Sequence, residues 1–418
     1  MELHETNGEL YLGGAPLGTL GERLGTPLAV FDAEALIERF YGFVEAFSEC
    51  RAMVCFAADA CANTQVLHRL VKRGAGLRVR GAVDLERAWL SGVPLSRVIY
   101  AGMGKTDNDI RAGLDGLYSP LFQAGRLVEG KPPYYRGPVG WFSVETGDEL
   151  DQLARLAGGV RINCRVMVRV TLPQCSSSVL GASPEEVVDL FYKYGSDPRL
   201  RLAGLRVHLG RSGVSVENFA QAAASLCGLA EKLTDMGADI RALDLGGGFA
   251  CDVWDADAPS PEAYAQAIGP VVMPCVEKGV KLIVEPGWSI AGAGSVLVSR
   301  VLAVREVGDE RIVIVDRVPG EPAELDRLRP VPVHGPEIND DRACRVCDVR
   351  DPSRCVTAPR RFDAGDLIVW PGGGAYVRRG GGSVSEVLYE DGRAFVIRPR
   401  ESVAETVGAE LESHEVIL

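Results

Sequence analysis

Three segments set chemically capable side chains at the ends of apolar or β-branched runs. Asp244-Leu245-Gly246-Gly247-Gly248-Phe249 carries three glycines whose bare amides could wrap a phosphate group. The same glycines would serve equally in a tight turn that needs left-handed backbone. Glu285-Pro286-Gly287 ends a second run with a carboxylate, and His208-Leu209-Gly210 ends a third with an imidazole. One glycine triplet is a weak signal, and the three segments together are a stronger one. Cys344, Cys347 and Cys355, with His334 upstream, give Cys-x-x-Cys and two further candidates, enough in number for tetrahedral zinc. Arg342, Arg345 and Arg350 make the same stretch electropositive, which suits a lowered thiol pKa or a held anion instead. Cys55 and Cys61 read as buried structural thiols, and His4, His68 and His414 as surface or core residues.

The elements that would hold these groups alternate between short strands and longer helical patterns over about the first three hundred residues, the rhythm of βα units around a parallel sheet. Pro27 to Phe31 reads as a strand, followed by a helix from Ala33 to Phe47 with Leu36, Ile37, Phe40 and Phe47 on one face. Further strands fall at 53–58, 77–79, 98–101, 141–144, 166–170, 202–208, 242–245 and 282–285. This spacing predicts a (β/α)8 barrel over residues 27–290, whose chemistry belongs at the carboxyl ends of its strands. Residues 118–138 break the rhythm and read as a long loop. Beyond Trp288 strands follow one another without helices, which predicts an all-β domain over 291–418 that residues 1–26 join.

Composition narrows the partners. With 418 residues, 46% hydrophobic and 24% charged, the chain can bury a sizeable core. Its 45 Lys+Arg against 57 Asp+Glu, a net charge of −12, argues against nucleic acid or an anionic membrane as the main partner. No run is long enough to span a bilayer, and the first residues lack the order of a secretion signal, so a cytoplasmic location is expected. Eleven scattered cysteines read as reduced thiols.

In order and spacing, the segments Thr26 to Asp32, Gly74-Ala75-Gly76-Leu77, Ala101 to Lys105, His208, Asp244 to Phe249, Glu285-Pro286-Gly287 and Gly374-Ala375-Tyr376 resemble the alanine-racemase-like, fold type III enzymes that use pyridoxal phosphate (PLP), specifically the diaminopimelate and ornithine decarboxylases. The resemblance implies that His208 lies against a cofactor ring, that Gly246, Gly247 and Gly248 hold its phosphate, that Glu285 with Gly287 meets the ring nitrogen, and that Tyr376 touches the phosphate. It also implies a head-to-tail homodimer in which Cys347-Asp348-Val349-Arg350-Asp351 reaches the partner's site, with Cys347 as a proton donor and Asp351 near the substrate. That role for Cys347 argues against a metal at the cysteine cluster.

One departure from the family dominates. Where the family carries Tyr-Ala-x-Lys-Ala, with the lysine that forms the Schiff base, this chain has Phe56-Ala57-Ala58-Asp59-Ala60, and a carboxylate cannot form an imine. Arg78 stands where the family has an aspartate, so Asp59 and Arg78 are expected to pair across adjacent strands; independent drift of the two residues is the alternative. Trp288 replaces the arginine of Glu-Pro-Gly-Arg and would stack on a ligand or wall off part of the pocket, with an ordinary buried tryptophan as the alternative. The expected function is that of a divergent decarboxylase-like lyase acting on a small amino acid or amino-derived metabolite, with PLP bound noncovalently or absent and with Asp59, Arg78 and Cys347 as the candidate catalytic groups. A non-catalytic paralogue that binds or regulates through its dimer surface is the alternative.

Overall fold

The computed structural model describes residues 3–115, 137–175, 179–210, 213–253, 256–308, 310–320, 329–333, 344–358, 361–377 and 384–408. Residues 118–136 of the expected loop, and His334, Arg342 and His414, lie outside them. The chain forms two units, Glu34–Ala293 and Met1–Ala33 with Gly294–Leu418.

The second unit opens the chain with β1 (Leu3–Thr6), β2 (Glu9–Leu12) and β3 (Ala15–Pro16), an antiparallel sheet, and then β4 (Leu28–Asp32). The first unit is a closed parallel barrel of β5 (Met53–Ala57), β6 (Gly76–Val79), β7 (Val98–Ala101), β8 (Trp141–Val144), β9 (Cys164–Arg169), β10 (Leu200–Arg206), β11 (Ala242–Asp244) and β12 (Lys281–Val284). Pairing of β12 with β5 closes the ring. Parallel neighbours need crossovers, and helices supply them. The helix Pro184–Tyr194 starts at a reciprocal Ser183/Glu186 capping box with proline in its first turn, and Thr64–Lys72 starts where Asn63 accepts the Gln65 N–H.

Met53, Cys55, Ile99, Ala101, Trp141, Met167, Ala203, Ala242 and Ile283 form one buried cluster inside the barrel. Room for the Trp141 indole comes from Gly204, where a Cβ would stand 3.2 Å from Trp141 Cζ3 and 3.0 Å from Met167 Cβ. Alternate residues of a strand point the same way, so the positions two beyond Met167, Ala242 and Ile283 face inward above this floor. They are Arg169, Asp244 and Glu285. An apolar floor under a charged layer is therefore written into the strand period.

The remaining strands are β13 (Ser295–Val307), β14 (Glu310–Val315), β15 (Val331–Pro332), β16 (Cys344–Asp348), β17 (Cys355–Ala358), β18 (Leu367–Pro371), β19 (Ser385–Glu390) and β20 (Arg393–Arg398). They run in the order β17-β16-β14-β13-β4-β19-β20, with β18 paired to β13 and β15. The strand at 28–32, assigned from sequence to the barrel, is thus a member of this sheet, antiparallel to β13 and parallel to β19. Its five residues are all buried, and a strand covered on both faces has the same sequence signature in either setting. The barrel unit accordingly begins at Glu34 rather than residue 27. Among the described residues no helix is long and apolar enough to cross a membrane.

Candidate functional site at the barrel mouth

The carboxyl ends of the strands carry a chain of buried ion pairs. β5 runs into a 3-10 turn, Ala58–Ala60, that presents Asp59. Register pairs Ala57 with Arg78, so the Arg78 side chain stands one strand away from that turn. Gly76 permits the close packing below, since a Cβ there would lie 2.5 Å from Cys55 Sγ. Arg78 Nη1 meets Asp59 Oδ1 at 2.8 Å, and Arg80, its side chain 54% exposed, reaches Asp59 Oδ2 at 3.4 Å. On its other side Arg78 Nε faces Glu285 Oε2 at 3.6 Å.

Glu285 is 1% exposed and is gripped from within the barrel by Arg206, which donates from Nε to Oε1 at 3.2 Å and from Nη2 to Oε2 at 2.7 Å. Arg206 Nε also pairs with Asp244 Oδ2 at 3.2 Å. Beside this chain, Glu145 accepts from Arg169 at 2.9 Å and from the Gly181 N–H at 2.9 Å. Burial alone would raise the Glu285 pKa, but the guanidinium groups of Arg206 and Arg78 outweigh it and hold the carboxyl down at about 2. Asp244 moves the opposite way, pushed well above the usual carboxylate range by burial and then by the Glu285 charge. Burial and the adjacent Arg206 and Arg78 push His208 down to about 3, so its ring is neutral.

The glycine turn is built for the protein's own contacts. Gly246 has φ +66° and Gly248 φ +119°. A Cβ at Gly246 would lie 2.3 Å from the Val207 carbonyl, and one at Gly247 2.7 Å from the Glu285 carbonyl. The Gly246 N–H donates to Asp244 Oδ1 at 2.8 Å and the Gly247 N–H to His208 Nδ1 at 3.3 Å. The latter bond makes Nδ1 an acceptor and places the neutral ring's proton on Nε2. The Glu285-Pro286-Gly287 turn is tied to β5 by the Ala57 N–H, which donates to the Pro286 carbonyl at 3.1 Å. Gly287 caps a short helix, Trp288–Ala291, whose Trp288 is buried against Gly292, where a Cβ would stand 3.0 Å from the indole.

The barrel unit thus brings together Asp59, Arg78, His208, Gly246, Gly247, Gly248, Glu285, Gly287 and Trp288, whereas Cys347, Asp351 and Tyr376 belong to the β unit. Tyr376 holds a left-handed backbone (φ +54°), and Asp351 is an exposed turn residue that accepts from Ser353. Two sequence readings are corrected here. Cys347 is joined to Cys355 in a disulfide, so these two are not reduced thiols, and in this form Cys347 has no S–H to donate and neither sulfur is a thiolate ligand for zinc. Arg206 and Arg80 were missed. Arg206 lies two positions before His208, so strand alternation counted back from the histidine points to it as well. Lys105 commits its Nζ to the carbonyls of Gly102 and Ser143 and to Glu149, and Lys72 is exposed at the end of its helix.

A closed eight-stranded parallel barrel joined to a β-rich unit is the architecture of the fold type III decarboxylases. A family model described as "Pyridoxal-dependent decarboxylase, pyridoxal binding domain" matches residues 33–292, and the chain belongs to that family. It is 27% identical over 435 residues to a diaminopimelate decarboxylase of Aquifex aeolicus, covering 96% of this chain and 95% of that protein. It is equally 27% identical to one of Pseudomonas aeruginosa, over 96% and 97% of the two chains. The crystal structure of AQ1208 from Aquifex aeolicus superposes with a TM-score of 0.84 at 25% identity, over 98% of each chain. That of diaminopimelate decarboxylase from M. jannaschii gives 0.85 at 21%, again over 98% of each, and speaks for the fold alone.

Proposed function

We propose that this chain is a divergent member of the decarboxylase family that takes a small amino acid or amino-derived metabolite at the barrel mouth without forming an internal aldimine. The observation that carries this reading is the Asp59–Arg78 pair, 2.8 Å apart, at the place where the family keeps its amine. The donor set does not suit PLP. Position 59 holds an acid, both Glu285 oxygens are engaged by Arg206, and the N–H groups of Gly246 and Gly247 are turned to Asp244 and His208. No chemical step is therefore routed through that cofactor.

The groups that remain suit an amino-acid headgroup. Asp59 Oδ2 and the half-exposed Arg80 guanidinium form a loose pair at 3.4 Å. A ligand ammonium would replace Arg80 on Asp59 while the ligand carboxylate takes the freed guanidinium, exchanging one weak exposed ion pair for two. His208, neutral and carrying its proton on Nε2, would hold or pass a proton at that nitrogen without adding charge. Trp288, buried where the family's arginine would stand, would leave no cation at that position. We read the assembly as a homodimer, which size-exclusion chromatography with light scattering would test.

Thermal shift measurements would test the site. Small amino acids or amines should raise the melting temperature, and Arg80→Ala should abolish the shift. Saturating PLP should leave it unchanged. A ligand bound at one hundred times its Kd adds about 2.7 kcal/mol, well within detection. A comparable shift with PLP would remove the reading, and heterodimer formation with an active relative, without turnover, would favour the non-catalytic one.

A further inference from the structure

The hairpin of β16 and β17 carries a second chemical feature, independent of what the barrel binds. Cys347 and Cys355 face each other in register across the two antiparallel strands, their Cα atoms 4.2 Å apart, and a disulfide joins them. The register continues through Val346–Val356 and Arg345–Thr357 to Cys344–Ala358, so the bridge is the last rung before the tip. Cys347 is buried and Cys355 is partly exposed. The tip clamps the segment after β14. Asp348 accepts the Val318 N–H at 3.0 Å, and the Arg354 guanidinium donates to the carbonyls of Val318, Pro319 and Gly320. Within the tip, the Arg354 N–H donates to the Asp351 carbonyl at 2.9 Å and the Asp348 N–H to the Arg354 carbonyl at 3.0 Å.

Nine cysteines lie outside this disulfide, and seven of them are buried. Burial pushes the thiols of Cys50, Cys55, Cys164, Cys227 and Cys251 upward, which keeps them protonated and weakly nucleophilic. Cys355, the partly exposed half of the bridge, is the side from which a small thiol can approach it.

We propose that Cys347–Cys355 is a reversible thiol–disulfide site, read by small-molecule thiols or protein dithiols, whose state decides whether Cys347 carries an S–H and how firmly the tip holds residues 316–320. A reductant thiolate attacks Cys355 Sγ, a mixed disulfide forms, and Cys347 leaves as a thiolate that takes up a proton. The second thiol of a dithiol reductant then attacks its own bound sulfur, closes its disulfide and releases Cys355, which is protonated in turn. Two electrons pass from the reductant to the pair. Oxidised glutathione reverses the sequence and leaves as two reduced molecules.

Differential alkylation of the full-length folded protein tests this. After equilibration with oxidised glutathione, quenching and blocking with N-ethylmaleimide under denaturing conditions, trypsin should release peptides 346–350 and 355–360 as one linked species. Dithiothreitol added to the folded protein should split them, renewed oxidation should rejoin them, and the other nine cysteines should be alkylated throughout. Cys344→Ser should keep the link and Cys355→Ser should lose it. Hydrogen exchange at 316–320 and 348–354 should rise on reduction, while the barrel strands stay unchanged. Finding Cys347 and Cys355 alkylated under oxidised glutathione, linked to other cysteines, or joined by a bridge that resists dithiothreitol until the protein is unfolded would overturn the proposal. So would unchanged exchange in the tip.

Discussion

The barrel interior holds two layers of opposite character one strand step apart. The floor, from Met53 to Ile283, is apolar and packed, and the layer above it joins Asp59, Arg78, Glu285, Arg206 and Asp244 through ion pairs. Floor residues contribute roughly in proportion to the apolar area they bury, and each can be trimmed at a cost set by the atoms removed and the cavity left behind. Members of the charged layer cannot be removed singly on those terms, because each carries the desolvation cost of its neighbour. The floor therefore accounts for stability, and the charged layer specifies what the mouth can accept.

The largest expected effect follows from that asymmetry. Glu285→Gln leaves Arg206 and Arg78 buried without their shared counter-ion and should cost about 3–5 kcal/mol in denaturant unfolding. Replacing Arg206 and Glu285 together by Met and Leu should recover much of that loss, and a double variant worse than the single would break the comparison.

Acid titration comes next. An unfolded histidine protonates below its ordinary 6.5, whereas folded His208 stays neutral to about 3, so the unfolded state takes the proton first and stability falls as pH drops below 6.5. Glu285, held at about 2 against an ordinary 4.5, adds a second loss below 4.5. His208→Gln should flatten the upper window and leave the lower one, which unfolding curves collected between pH 8 and about 2 would show.

Smaller changes test the floor and the rim. Ile283→Val removes one methylene from the floor and should cost about 1 kcal/mol with no change in pH dependence. Arg80→Ala, on a half-exposed side chain, should alter stability by less than about 1 kcal/mol while removing ligand binding.

Much of the barrel was legible because strand period and helix caps are local signals. The strand at 28–32 went to the wrong unit because complete burial reads alike in a barrel and in a mixed sheet, and only its partners β13 and β19 separate the two. At the site, Asp59 and Arg78 could be read as a pair from their exchanged charge signs. Arg206 could not be weighed so easily, since a lone arginine in a strand has no visible partner until β12 brings Glu285 beside it across the barrel. The Cys347–Cys355 bridge depends on the register of two strands joined by a short hairpin, which residue spacing leaves open to a free thiol, a metal ligand or a disulfide.

The Asp59–Arg78 ion pair is proposed to stand at the mouth in place of a reactive amine. Incubation of the native protein with PLP, followed by borohydride reduction and peptide mapping, tests it most directly. No stoichiometric pyridoxyl group is expected on any barrel residue. A single lysine in the barrel carrying one such group per chain would contradict the proposal.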